Sequence, residues 1–354
     1  GRDLGVDQRF GILRLAVQWL PYEIGGFERT RPHLTSLRLV ITVQRNPEGA
    51  IIGKVGLIWG IPVKRITMPH SKLSVGNVDI TVLHDAESAL PLDQTFPDVP
   101  ADSWSQYQQR YPEAFNGIDN LRAHFECYLI RSQGQTILVD TGLGSNATNP
   151  GTVAAFGGGN DGHLLAELSA AGLKPDDVNT VFLTHLHPDH VGWNTSGGTN
   201  NSPSFPRARY VANEADVGAF KTPHDEQIFG FSYWEETIGP LEKAGVLDLL
   251  IGESTLTSEI TAIPTPGHTP GSMSLVIVSG GERALIMGDV FLNPAQVTET
   301  DWAFSFDYDP VLAIQTRGRM VERAEAENAT MAICHTSGFG KVVRAEGRRY
   351  WQTI

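Results

Sequence analysis

The stretch Thr184-His185-Leu186-His187-Pro188-Asp189-His190-Val191-Gly192 gathers three histidines and an aspartate within six residues, and it ends a short β-branched and aromatic run, Thr180 to Thr184. A regular strand sends alternate side chains to opposite faces, whereas an irregular loop at a strand end can turn neighbours toward one point. Neutral imidazole and carboxylate are the ligands zinc takes when thiolates are absent. A solvated polar turn is the competing reading, and so dense a cluster of histidines argues against it. Two cysteines in 354 residues exclude a four-cysteine zinc site and a disulfide framework. Cys127 and Cys334 lie in apolar strand-like runs and read as small buried side chains, with Cys334 pointing away from its neighbour His335.

Outward from the histidine loop, strand-like runs alternate with helical ones. Val78 to Leu83 alternates apolar and polar residues, as a half-buried strand does. Phe125 to Ile130 and Thr136 to Val139 flank a Gly-containing turn and read as a hairpin. Leu164 to Leu173 is helical in pattern, and Arg209 to Ala212 precedes a helix capped by Asn213, with Glu214 and Asp216 in its first turn. Leu275 to Val278, Ala284 to Met287 and Thr330 to Cys334 are strand-like. Pro310 to Ala326 carries a helical pattern behind a proline suited to a first turn. Hairpins mixed with strand–helix units predict a layered α/β sandwich with functional residues at strand ends.

The motif His-x-His-x-Asp-His at His185 to His190 resembles the signature of the metallo-β-lactamase superfamily, and further motifs follow in that family's order. Thr265-Pro266-Gly267-His268-Thr269-Pro270-Gly271 is similar to its second metal motif, Met287-Gly288-Asp289 to its third, and Cys334-His335 stands in the position of its last ligand. Asp140, in Leu138-Val139-Asp140-Thr141-Gly142, resembles the family's early aspartate, which holds a ligand histidine rather than a metal. The resemblance implies an αββα sandwich with a dinuclear centre at the edge between two sheets. Carried over residue by residue, it puts His185, His187 and His268 on one metal and Asp189, His190 and His335 on the other, with Asp289 bridging. Two Zn2+ ions are expected, and manganese, cobalt or iron can use similar ligands. Such a pair lowers the pKa of a bridging water enough to give hydroxide near neutral pH, so no serine or cysteine nucleophile is required. Asp189 and Asp289 are then the catalytic carboxylates, Asp189 also orienting the hydroxide or moving its proton. The remaining histidines, His33, His70, His84, His124, His163 and His224, stand alone in the sequence and are expected to be ordinary surface or core residues.

Departures from the subfamily patterns narrow the implied chemistry to hydrolysis of small apolar esters or lactones. Asp289 stands where many β-lactamases of the superfamily carry cysteine or serine. Glyoxalase II enzymes add a helical C-terminal domain, whereas 19 residues follow His335 here. The N-acyl homoserine lactonases share the ligand pattern but place a tyrosine just after the bridging aspartate, where this chain has Val290, Phe291 and Leu292. The segments Pro294 to Val297 and Phe306 to Asp309 resemble methyl parathion hydrolase more closely, which keeps a phosphotriesterase as a second reading. The resemblance also leaves room for a β-lactam hydrolase and for a mononuclear iron oxidoreductase of the same superfamily. Aromatic residues near the ligands, namely Trp193, Phe291, Trp302, Phe304, Phe306 and Phe339, are expected to line the substrate pocket.

Charge divides the chain. Residues 1–67 hold 10 Lys or Arg and 5 Asp or Glu, whereas the remaining 287 hold 17 and 35, for a total of −13. An acidic body argues against nucleic acid as a partner and suits a neutral small molecule. A homodimer remains open. The first methionine is Met68, and residues 1–67 read either as an extension ahead of a start there or as a basic N-terminal arm, with 68–354 as the catalytic domain. The apolar run Gly11 to Leu20 is too short to span a membrane and lacks a cleavage site, so the expected location is cytoplasmic.

Overall fold

Alternation of inward and outward apolar residues builds two seven-stranded sheets. The computed structural model describes residues 70–198, 201–221 and 229–354, together with two strands nearer the N-terminus. The readings of a start at Met68, of the run Gly11 to Leu20 and of His33 and His224 lie outside the described residues. By internal contacts the chain divides into two units, Gly1–Thr67 and Met68–Ile354. In the first, β1 (Arg38–Arg45) and β2 (Ile51–Ile58) pair antiparallel, Arg38 opposite Ile58.

In the second unit, one sheet runs in the order β3 (Lys72–Val75), β4 (Val78–Pro91), β5 (Asn120–Ser132), β6 (Gln135–Val139), β7 (Thr180–Phe182), β8 (Arg209–Asn213) and β9 (Leu247–Leu250). Strands β3 to β6 form an antiparallel meander, and β6 to β9 are parallel. The other sheet runs from β10 (Ser254–Thr257) through β11 (Ile260–Pro264), β12 (Met273–Ser279), β13 (Glu282–Ile286), β14 (Thr330–Ala332) and β15 (Gly340–Ala345) to β16 (Arg348–Thr353), with β13 and β14 its parallel pair.

The period of two is visible in the packing. Ala284 and Ile286 face a core shared with Ile80, Val82, Ile130 and Val139 of the opposite sheet, whereas Leu285 between them faces the helix Pro310–Ala326 through Met320 and Val321. That helix starts as its sequence dictates. Pro310 occupies the first turn and the Asp309 carboxylate accepts from Leu312 N at 3.0 Å. It buries Ala313, Thr316, Arg317, Met320, Val321 and Ala324, the three-four spacing of one helical face. The helices Leu164–Ala170 and Glu214–Phe220 cover the outer face of the first sheet through Leu164, Leu168, Val217 and Phe220. The result is the αββα sandwich.

The β4–β5 register slips between His84 and Ala86, so Asp85 is an extra residue in β4. Its carboxylate is buried and accepts from Leu143 N, Leu164 N and Trp193 Nε1 at 2.6, 2.7 and 2.9 Å. Among the described residues no helix is long and apolar enough to cross a membrane.

Candidate metal centre

Every residue expected at the centre follows the C-terminal end of a strand. The loop His185–His190 follows β7, His268 follows β11, Asp289 follows β13, His335 follows β14 and Asp140 follows β6. Since β6 and β7 are parallel, as are β13 and β14, their ends open on one rim. The structure brings the seven expected ligands together there. His185, His187 and His268 each offer a donor within 4.8 Å of the other two, and His190, Asp289 and His335 form a second such group that includes Cys334. Asp289 lies between the groups, with Oδ2 3.4 Å from His268 Nε2 and 3.0 Å from His335 Nε2, and Oδ1 3.3 Å from His190 Nε2. Asp189 Oδ2 sits 3.6 Å from both His190 Nε2 and His335 Nε2.

Hydrogen bonds at the far nitrogens aim the near ones inward. His190 Nδ1 donates to Asp140 Oδ2 at 2.9 Å, His268 Nδ1 to Asp307 Oδ1 at 3.1 Å, and His335 Nδ1 to the His124 carbonyl at 2.8 Å. Thr184 gives its hydroxyl proton to Asp140 Oδ2 at 2.8 Å, so its oxygen accepts from His185 Nδ1 at 3.1 Å. Asp140 adopts a left-handed backbone, φ 59°, which aspartate tolerates, and its Oδ1 also accepts from Thr184 N. The expected orienting role thus has its geometry: one carboxylate holds His190 directly and His185 through Thr184.

The inward atoms form a set that suits a cation. His185 Nε2, His190 Nε2, His268 Nε2 and Asp289 Oδ1 are buried with no hydrogen-bond partner, a costly state for bare polar atoms. Burial pushes His185 and His187 well below the usual histidine range, so both imidazoles are neutral and keep a lone pair. Burial opposes charge on His190 too, but the negative groups around it, Asp289 foremost, together outweigh burial and hold that ring well above its usual value. Asp289 itself, despite burial, is held well below the carboxylate range by His335 and His190. Three unpartnered nitrogens and a carboxylate oxygen turned toward one point are what a pair of divalent cations would satisfy.

Beside the centre lies a narrow cleft lined by Leu90, Phe125, Phe156, Phe229, Leu292, Phe304 and Phe306 together with His187, Asp189, His268, Asp289 and His335. Phe229 stacks on Phe306 with centroids 5.7 Å apart, and Phe304 stacks on His268 at 4.8 Å. Of the six aromatics expected in the pocket, Phe304 and Phe306 are there and four are not. Phe291 is fully buried beneath the helix Pro310–Ala326, Trp302 packs on Trp104 at 4.6 Å, and Phe339 lies in the inter-sheet core against Tyr128. Trp193 turns its indole to Asp85. Nearness along the chain misled for these four, because residues adjoining a strand-end ligand face a core as readily as the cleft.

Cys334 also corrects its expectation. β14 stops at Ala332, so strand alternation does not extend to residue 334, and Sγ comes within 4.0 Å of His190 Nδ1 while donating to the Glu126 carbonyl. Both cysteines are free and buried. Of the histidines expected to be solitary, His70 bonds Glu167 at 2.7 Å, and His84 and His124 face each other across β4 and β5 with ring centroids 5.5 Å apart.

Three groups that position the site carry no motif. Asp216 reads as a helix first-turn acid, but its carboxylate ties the two ligand loops together. It accepts from Leu186 N at 3.1 Å, Thr269 Oγ1 at 2.9 Å and Gly271 N at 2.5 Å, and burial pushes its pKa up to about 6. Asp307 holds His268. Arg317, fully buried, holds Asp307 and three backbone carbonyls.

The chain is 29% identical over 239 residues to the uncharacterized protein YobT of Bacillus subtilis strain 168, covering 64% of this chain and 88% of that protein. It is 31% identical over 221 residues to an N-acyl homoserine lactonase of a Bacillus species, covering 59% of this chain and 80% of the lactonase. Two solved structures share the fold. The hydrolase AbOPH aligns with a TM-score of 0.69 at 23% identity, over 82% of this chain and 99% of its own. AidC, a dizinc quorum-quenching lactonase, aligns with a TM-score of 0.66 at 22% identity, over 80% and 97%. The family described as the Metallo-beta-lactamase superfamily matches residues 126–335, from β5 to the turn that ends on His335. More than half of the chain, with every motif that reaches the rim, falls within the sequence pattern of one family: this chain belongs to the metallo-β-lactamase superfamily.

Proposed function

We propose that the chain is a dinuclear metal-dependent hydrolase of small, uncharged, apolar esters or lactones. The observation that carries this reading is the convergence of seven nitrogen and carboxylate donors about Asp289 on the wall of an aromatic cleft. His185, His187 and His268 would hold one cation, Asp189, His190 and His335 the other, and Asp289 both. Two divalent cations, zinc first among them, would supply there a water acidified toward hydroxide and a positive charge facing the carbonyl oxygen of the substrate.

The chain's own groups do the rest. Asp189 lines both the centre and the cleft, so its carboxylate is placed to accept a proton from the attacking water and return it to the leaving oxygen. Asp140, Asp307 and the His124 carbonyl keep four imidazoles aimed without rearrangement during turnover. Phe125, Phe156, Phe229 and Phe306 exclude water and offer apolar contact to an acyl chain. Among the described residues that line the cleft there is no lysine or arginine to pair with the carboxylate of a penicillin. The relatives named N-acyl homoserine lactonase support a lactone.

The test is a parallel assay of the zinc-loaded protein on an acyl homoserine lactone, an aryl ester, a neutral phosphotriester and a penicillin. Turnover of the lactone or ester above the other two is expected. Faster turnover of the phosphotriester would move the assignment to a phosphotriesterase, and turnover of the penicillin alone would overturn it.

A further inference from the structure

We propose that His84, Glu87 and His124, backed by Glu126, form a separate binding site for a divalent transition-metal cation such as Zn2+. These residues sit on the β4–β5 ladder, where His84 pairs with Glu126 and Glu87 with His124. Three residues apart on a regular strand, His84 and Glu87 would face opposite sides. The extra residue Asp85 shifts the phase, so both point to the face that carries His124 and Glu126. The bulge therefore does two things at once: it buries the Asp85 carboxylate on one side and collects a two-histidine, two-glutamate block on the other.

The block has the makings of a site. One donor atom each from His84, Glu87 and His124 lies within 4.8 Å of the other two. Glu126 Oε1 stands 3.2 Å from His84 Nδ1 and 3.8 Å from His124 Nδ1. A plain His84–Glu126 ion pair would account for one glutamate oxygen and one imidazole. It leaves Glu126 Oε2 and His124 Nδ1 buried without a partner, although the Glu126 side chain is only 2% exposed. An unpartnered imidazole nitrogen, in a block whose two carboxylates exceed its fixed positive charge, suits one divalent cation held by His84, Glu87 and His124 with the Glu126 charge behind it. Two imidazoles select zinc, copper, nickel or cobalt over calcium or magnesium, which prefer oxygen. The His84 side chain is 41% exposed and Glu87 is exposed, which gives a cation a path from solvent and leaves room for water as a further ligand. The block shares no residue with the central set. It meets that set through backbone groups: the His124 carbonyl receives His335 Nδ1, and the Glu126 carbonyl receives Cys334 Sγ.

Equilibrium dialysis of the full chain against Zn2+, with bound metal counted by elemental analysis, tests this. Wild type and the double variant His84→Asn, Glu87→Gln are compared after the metal-free melting temperatures are matched. The variant is expected to bind one equivalent fewer, with turnover of the preferred ester or lactone unchanged. The difference between the two proteins carries the result, whatever number the central set holds, so failure of the dinuclear reading would show separately. Equal uptake overturns the proposal, and so does a loss of two or more equivalents, which would mean that the substitutions reach the centre. Should the double variant fail to fold, Glu87→Gln alone is expected to weaken uptake of that equivalent at least about tenfold, since even outer partners of a ligand are worth 10–100-fold in affinity. Unchanged affinity in that variant overturns the proposal equally.

Discussion

Replacing Arg317 with methionine should cost about 3–5 kcal/mol of stability and loosen the metal centre without touching a ligand. The guanidinium is fully buried and reaches four acceptors: the carbonyls of Val290, Thr300 and Trp302 at 2.8, 3.1 and 2.9 Å, and Asp307 Oδ2 at 3.5 Å. Methionine keeps much of the stem but removes all four bonds; the Trp302 carbonyl and Asp307 Oδ2 keep Gln296 Nε2 and Phe304 N, whereas a buried acceptor left bare costs about 1–3 kcal/mol before relaxation. Asp307, with no accessible side-chain surface, is then an uncompensated buried charge. Urea denaturation of the metal-free protein isolates the effect on the fold. With a slope of about 3 kcal/mol/M, the midpoint should fall by roughly 1–1.7 M. Adding Asp307→Asn to Arg317→Met removes the orphaned charge and should recover at least about 1 kcal/mol, the coupling expected of contacting residues. Because Asp307 also holds His268 Nδ1, Arg317→Met should weaken metal affinity about 10–100-fold. A midpoint shift below about 0.3 M with metal affinity unchanged would refute the idea that this arginine organises the site.

Gly192→Ala drives a Cβ into the Leu143 carbonyl and Gly144 N, far inside contact distance, so the histidine loop must move by about 1 Å. A shift of that size costs on the order of 100-fold in kcat/KM, and steady-state kinetics on the reloaded variant would contradict this by matching wild type. Chelation of the metal should abolish hydrolysis and lower the melting temperature by about 8–16 °C, reversed by Zn2+; this follows from about 4 kcal/mol for a ligand at a thousand times its Kd. A scan showing the same melting point with and without metal would count against an organised cation site. Phe306→Ala should raise KM for a long-chain substrate about 10–100-fold, the value of a buried ring at 1.5–3 kcal/mol, and leave a short-chain one nearly unchanged. Equal effects on both chain lengths would remove Phe306 from the acyl-binding wall.

The fold was legible where periodicity was strong. The helix Pro310–Ala326 begins and ends as its proline and apolar spacing require, and Asn213 caps its helix by accepting from Ala215 N. Strands β10, β11, β15 and β16 carry no equally clean alternation, because their outer faces are partly exposed or charged. The metal-ligand candidates were legible because chemistry concentrates rare residue types in short motifs. Asp216, Asp307 and Arg317 were not, since a carboxylate that holds a loop by backbone N–H groups looks in sequence like any turn or cap residue. Phe125, Phe156 and Phe229 escaped for another reason. They reach the cleft from segments distant in sequence, and only the crossing of chain segments reveals them. The same holds for His84 and His124, solitary in sequence and opposed in space.

The division of labour along the chain has a consequence for how such a protein can change over generations. The groups expected to do the chemistry are fixed to strand ends, where a slip of one residue would scatter them, whereas Phe156, Phe229, Phe304 and Phe306 belong to the connecting segments. Insertions and substitutions in connections are tolerated far better than in strands. Substrate preference in this chain can therefore drift one loop at a time while the reaction stays the same, and an engineer seeking a new substrate should leave the rim alone and rewrite the walls.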